Sequence, residues 1–301
     1  MRTTQRPFMK ASLLLILATS NMVLPFTMTA QSPVLLRTFT NPTPEAGDYF
    51  GTSLAALGSG HLLVGVPYDG PTNAGAVYLF HSNGSLLTTF TNPSPEATPW
   101  YNNPESDADK FGLAIAGIGD DRVLIGAPRE GMDDTGVAYV FRTNGTLLAT
   151  FHNPDQTQDY AKFGFSVAAL GSDRVIVGAP NVGAAYLFRD NGTLLTAFTN
   201  PVPTTAGNYF GYCVAAVGSD RVFVGAPPTI LLPTNDGAAY LFNTNGTLLT
   251  TFTNPAPAIY DSFAEHVAVL GNDRLVISSK GDDFGATNSG AAYVFSAKVH
   301  C

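Results

Sequence analysis

Apolar and polar positions along most of this chain alternate with a period of two, not 3.6. Tyr186 and Phe188 flank Leu187, and the same Tyr-x-Phe pair begins at Tyr78, Tyr139, Tyr240 and Tyr293. That is the side-chain geometry of a β-strand. Around these pairs one unit is written five times: "FGTSLAALGSGHLLVGVP", "FGLAIAGIGDDRVLIGAP", "FGFSVAALGSDRVIVGAP", "FGYCVAAVGSDRVFVGAP" and "FAEHVAVLGNDRLVISSK" align without a gap. Each runs on into a "GAAYLF"-like strand, and the Phe of an F-x-N-P element recurs at Phe39, Phe90, Phe151, Phe198 and Phe252. Repeats of this length indicate a solenoid, a propeller or an array.

Each unit predicts four strands, which in the third copy are "FGFSVAAL", "RVIVGA", "GAAYLF" and "LLTAFT". The inner three are apolar on both faces, as in a sheet covered by neighbours on either side. The fourth carries Thr at alternate positions, which suits an exposed edge. A ring of such sheets is an all-β, five-bladed β-propeller of four-stranded antiparallel blades. The segment Leu35 to Pro42 reads as a fourth strand with no first three before it, and the last unit stops after Phe295 without a fourth. The N-terminal strand is therefore expected to close the last blade.

Asn-Gly falls between strands three and four at Asn83, Asn144, Asn191 and Asn245. This dipeptide predicts a two-residue type I′ hairpin turn with positive φ at both positions. The Thr or Ser that follows completes an N-x-[ST] pattern, yet the turn accounts for the Asn without glycan chemistry.

Composition narrows the class. Of 301 residues, 45% are hydrophobic and 13% charged, with net charge -8; such a chain folds, and it has no basic field for a phosphate backbone, so nucleic acid is not an expected partner. Residues 1–30 read as a signal peptide: Arg2, Arg6 and Lys10 precede the apolar "ASLLLILATS", which is short of the roughly 20 residues of a spanning helix. The mature chain, 31–301, is expected to be one propeller domain, secreted, at the cell surface or periplasmic, and not inserted in a membrane. Cys213 and Cys301 make no disulfide framework.

The "FG…VGAP…GAAYLF" unit resembles the FG-GAP repeat, found in the propeller of integrin alpha-subunit heads and in many secreted bacterial proteins. The resemblance implies a binding or adhesion platform without catalysis. It also implies calcium in acidic loops between strands one and two, but the loops here, "GSGH", "GDDR", "GSDR", "GSDR" and "GNDR", are too short and too poor in carboxylates to wrap a calcium ion. No metal or other cofactor is expected. Asp121, Asp173, Asp220 and Asp273 read as turn residues beside solvated Arg122, Arg174, Arg221 and Arg274.

Loop length separates two rims. The strand one to two loops and the Asn-Gly turns are uniform, whereas the strand two to three loops and the interblade connections vary, as where a rigid scaffold presents binding loops. The longest connection holds the only Trp, Trp100, with Tyr101, Asp107 and Asp109, and the next loop brings Arg129, Glu130, Asp133 and Asp134. Aromatic planes beside carboxylates suit a sugar face or a protein anchor. A second candidate is Glu265 with His266 in the last first strand, near Asp282 and Asp283; a structural hydrogen-bonded pair is the plainer reading of it. The expected function is a binding module for an extracellular protein, with a glycan-binding, lectin-like propeller as the alternative and a glycosidase last, since Glu265 is the sole acid among the first strands.

Overall fold

The computed structural model describes residues 33–58, 60–70, 72–95, 108–202, 209–228, 237–258, 260–283 and 285–298. The described strands form five antiparallel sheets in chain order. Blade 1 is β1 (Ser53–Leu57), β2 (His61–Val66), β3 (Ala76–His81) and β4 (Leu86–Thr91). Blade 2 is β5 (Ala114–Ile118), β6 (Arg122–Ala127), β7 (Val137–Arg142) and β8 (Leu147–His152). Blade 3 is β9 (Ser166–Leu170), β10 (Arg174–Ala179), β11 (Ala184–Arg189) and β12 (Leu194–Thr199). Blade 4 is β13 (Cys213–Val217), β14 (Arg221–Ala226), β15 (Ala238–Asn243) and β16 (Leu248–Thr253). Blade 5 is β17 (Phe263–Leu270), β18 (Arg274–Ser279) and β19 (Ala291–Ser296). The first strands pack in succession, β1 on β5, β5 on β9, β9 on β13 and β13 on β17.

The repeat is explained by the seam between blades. Ile118, Leu124, Ala138 and Val140 of blade 2 are buried against Val175, Val177 and Tyr186 of blade 3, so a strand apolar on both faces is a strand buried on both faces. The Phe of each fourth strand lies on the Phe of the next Tyr-x-Phe pair: Phe90 on Phe141, Phe151 on Phe188, Phe198 on Phe242 and Phe252 on Phe295, with centroids 5.2 to 5.4 Å apart. The glycines close the seam. A Cβ on Gly178 of "VGAP" would stand 2.1 Å from the carbonyl oxygen of Gly211, the "FG" glycine of the next blade. Gly211 itself has φ +94, and its Cβ would meet Ala184 O at 2.2 Å. Backbone approaches backbone there, which only glycine permits.

Of the four arginines at the start of the second strands, Arg274 is exposed as expected, whereas Arg122, Arg174 and Arg221 are not. Arg122 donates to Ser172 O at 2.6 Å, Arg174 to Ser219 O at 2.7 Å, and Arg221 to Asn272 O and Ala297 O at 2.5 Å each. Each reaches across to the next blade's hairpin, and Arg122 also pairs with Asp190. The Asn-Gly turns differ from expectation too. Asn83, Asn144, Asn191 and Asn245 are absent from the positive-φ residues, whereas Gly84, Gly145, Gly192 and Gly246 have φ of 96, 89, 95 and 91. The bonds Gly84 N to His81 O and His81 N to Ser85 O make a three-residue loop ending in a left-handed glycine, not the two-residue type I′ loop. The Asn contributes through its side chain: Asn191 Oδ1 accepts from Thr193 N at 3.1 Å.

Blade 5 has three strands, and residues 33–41 carry no strand. Phe39 nevertheless takes the fourth-strand position on blade 1, 5.3 Å from Phe80. The outer face of blade 5, with Leu270 at 40% and Val294 at 62% exposure, is open where the matching Ile118 and Val140 of blade 2 are fully covered. Ser278 stands where the other blades have the "GAP" glycine.

Candidate functional site

The two rims are built differently. On one, each Asn-Gly turn is tied to the neighbouring strand one to two hairpin, as in Ser82 N to Gly60 O at 2.7 Å, Thr143 N to Asp121 O at 2.9 Å and Thr244 N to Asp220 O at 3.0 Å. A shallow cleft of about 290 Å³ lies there among Asp121, Arg122, Arg142, Leu148, Asp190 and Asn191. On the other rim the strand two to three loops of blades 1 and 2 are bonded to the following interblade connection, in blade 1 by Phe111 N to Ala74 O at 3.1 Å. Tyr160 N donates to Asp133 O, Lys162 N to Asp134 O and Phe163 N to Thr135 O.

The candidate residues of the variable rim separate into three groups. Trp100, Tyr101 and Asp107 lie outside the described residues. Arg129 and Asp134 form an ion pair at 3.8 Å, and Asp133 is exposed, with φ 60. Asp109 and Glu130 are buried beneath that surface. Asp109 accepts from Asn92 Nδ2 at 2.7 Å, and Glu130 accepts from the Tyr139 hydroxyl. Burial, then that bond, pushes the Tyr139 phenol far above its ordinary range.

Glu265 and His266 are neighbours on β17, in the stretch between Phe263 and Val267 where its pairing with β18 shifts register. Glu265 is half-buried, pairs with Lys280 at 2.7 Å and accepts from the Tyr212 hydroxyl at 3.4 Å. Burial, then Glu265, raises the Tyr212 phenol to about 12. His266 is exposed, and its backbone N–H donates to Ser278 Oγ. Asp282 is buried elsewhere, accepting from the Tyr293 hydroxyl at 2.5 Å, so Glu265, His266 and Asp282 do not converge. Cys213 donates from Sγ to Ala264 O at 3.3 Å, and burial raises its thiol to about 12, which makes it inert.

A recurrent arrangement escaped the sequence reading. The Asn of F-x-N-P donates to an Asp placed two residues before the "FG" Phe: Asn41 to Asp48 at 2.8 Å, Asn92 to Asp109 at 2.7 Å and Asn254 to Asp261 at 2.6 Å. In the same three blades the Tyr of Tyr-x-Phe donates to an acid of the strand two to three loop: Tyr78 to Asp69, Tyr139 to Glu130 and Tyr293 to Asp282. The readable signal was the fixed Asp-x-Phe spacing. Among the described residues no three His, Cys, Asp or Glu side chains converge as metal ligands; these carboxylates come in pairs.

Comparison with known proteins agrees with this architecture. The family model described as "FG-GAP repeat" matches residues 38–80 and 251–295. No curated protein matches the sequence. Among solved structures, the chain is similar to a protein of unknown function from Bacteroides caccae, with 13% identity and a TM-score of 0.50, over 78% of this chain and 72% of that one. It is also similar to the C-terminal WD40 domain of Sif2, with 12% identity and a TM-score of 0.49, over 81% of this chain and 55% of that one. It thus spans about half of the Sif2 chain. Among the described residues no helix is long and apolar enough to cross a membrane. Two stretches of this chain, residues 38–80 and 251–295, are thus FG-GAP repeats, and the five sheets are built on one plan.

Proposed function

We propose that the chain is a secreted or cell-surface, non-catalytic binding module that engages an extracellular protein through its variable rim. The observation that carries this is the contrast between rims: one is held by uniform hairpin bonds, while the other presents loops of unequal length, anchored at their bases by backbone bonds such as Tyr160 N to Asp133 O. Arg129, Asp133 and Asp134 would form part of the contact, with Trp100 and Tyr101 as the aromatic anchor.

We further propose that the N-terminal segment completes blade 5. Phe39 already occupies the fourth-strand slot on Phe80, and the open face of blade 5 repeats the apolar pattern that is covered elsewhere. The closing seam has its own geometry, because Ser278 carries a Cβ where the other seams admit none.

The test immobilises residues 31–301 and screens a glycan array beside a panel of extracellular proteins. The reading expects a protein ligand whose binding falls at least tenfold in Trp100→Ala, an anchor-sized loss, and is unchanged in Asn191→Ala on the opposite rim. Glycan binding alone, or a protein ligand indifferent to Trp100 and Arg129 but lost with Asn191, would refute it.

A further inference from the structure

Two buried acids per junction recur at one spacing. Asp48 and Asp69, Asp109 and Glu130, and Asp261 and Asp282 are each 21 residues apart. The same two positions hold Ala161 and Val182 in the third copy and Asn208 and Thr229 in the fourth. Within this chain the charge is therefore present at both positions or at neither. Where it is missing the surroundings show it: Ala161 is fully buried, Val182 packs in the apolar cluster, and Asn153 Nδ2, whose equivalents bond to the Asp, has no partner among the described residues.

The backbone brings the two acid-bearing segments together, Arg129 N donating to Asp109 O at 3.2 Å and Gly281 N to Asp261 O at 3.0 Å. Asp48, Asp69, Asp109, Glu130, Asp261 and Asp282 are all buried. Both acids of a pair act on one phenol oxygen: Asp69 and Asp48 on Tyr78, Glu130 and Asp109 on Tyr139, Asp282 and Asp261 on Tyr293. Two like charges so placed repel strongly at low dielectric, and each loses hydration as well. In blade 5, Asn254 Nδ2 and Ala258 N both bond Asp261 Oδ2. Asp261 is wholly buried, and its Oδ1 has no hydrogen-bond partner among the described residues. A carboxylate oxygen left dry beside a second carboxylate calls for a positive charge between them.

We propose that the three acidic junctions are cation sites, each holding a hard divalent ion, with Ca²⁺ the best chemical match, between the acid before the "FG" Phe and the acid of the strand two to three loop. The donor set is all oxygen: two carboxylates, a tyrosine hydroxyl oxygen and water, which suits a hard cation and no thiophilic metal. These sites lie on the rim opposite the strand one to two loops in which the family resemblance would seek calcium. They tie an interblade connection to the loop of the following blade, so the ion would staple the seam below the binding rim. The third and fourth seams do without it, having no charge to neutralise.

The tyrosine in each site supplies the assay, because a phenol beside bound Tb³⁺ transfers excitation to it. Residues 31–301 are titrated with TbCl₃ under tyrosine excitation, then with CaCl₂ in competition, and CaCl₂ binding to the parent is measured independently by calorimetry. The proposal expects saturation near about three ions per chain, displacement by Ca²⁺, and loss of about one third of the signal in Asp261→Asn/Asp282→Asn, as for independent sites. Glu130→Gln, isosteric and confined to another blade, should remove a similar share if the double variant fails to fold. No tyrosine-excited emission, emission that Ca²⁺ does not displace, or full emission from a folded variant would overturn it. So would a parent that takes up no calorimetric Ca²⁺ and instead loses stability as pH rises from 5 to 8, the behaviour of a shared proton.

Discussion

Replacing Arg221 by Ala isolates the clamp between blades. Its guanidinium is 18% exposed and donates to Asn272 O and Ala297 O at 2.5 Å each, both on blade 5, with Asp220 at 3.7 Å on its own hairpin. The ion pair is long and adds little. The two charge-assisted bonds matter more, because Ala would leave the Ala297 carbonyl, whose residue is fully buried, without its donor. Bonds to a charged group contribute roughly 1.5–3 kcal/mol, and the Asn272 side of this fork is solvent-accessible, so a loss of about 2 kcal/mol is expected. For a domain of this size that lowers Tm by about 4–8 °C. Arg274 is the control: its side chain is 62% exposed, and its one ion pair among the described residues is with Asp273, at 4.0 Å. Arg274→Ala should change stability by less than about 0.5 kcal/mol. Calorimetric melts of the parent, Arg221→Ala, Arg221→Lys and Arg274→Ala decide it, with Lys falling between because one ammonium cannot span both carbonyls. Equal, small shifts for Arg221→Ala and Arg274→Ala would refute the clamp.

Asn254→Ala should cost about 1.5–3 kcal/mol, since it strips a donor from buried Asp261, and Asn153→Ala about 1 kcal/mol less, since its Nδ2 bonds nothing described; paired chemical denaturation curves measure the difference. Gly192→Ala, at φ +95, should destabilise by about 1–2 kcal/mol, more than Asn191→Ala, which removes only the bond to Thr193 N; thermal melts rank them. Tyr78, Tyr212 and Tyr293 should ionise near about 12 in the folded protein, about two units above a free phenol. Folded pKa values raised in this way leave stability intact below pH 10 and erode it as pH rises from there toward 12, which an ultraviolet phenolate titration run beside a melt at each pH will show. Cys213 should resist a thiol reagent at pH 8 until the chain is unfolded, followed by absorbance with and without denaturant.

The blades were legible because burial on both faces leaves a signature in single strands: "RVIVGA" and "GAAYLF" have no polar face to hide, and five copies place every turn. What the repeat could not disclose is contact across a seam. "VGAP" and "FG" read as turn glycines, but Gly178 is required by a carbonyl 33 residues away in sequence, at Gly211, in the next blade. Arg221 looked like any charged residue after a hairpin because nothing local marks the carbonyls of Asn272 and Ala297 as its acceptors. The Asn-Gly dipeptide misled in another way: both loop types want glycine at a positive φ, and only the two-residue loop wants it at Asn as well. The candidate site divides along the same line. Trp100 stood out by composition, whereas Asp109 and Glu130, offered as surface ligands beside it, are buried, each held by a donor from another part of the fold. Their partnership could have been read from the 21-residue interval shared with Asp48 and Asp69 and with Asp261 and Asp282. Ala161 and Val182 supply the deciding contrast: a seam that loses one acid loses both, as expected if a lone buried carboxylate, deprived of the charge the pair would share, is costlier than an apolar contact.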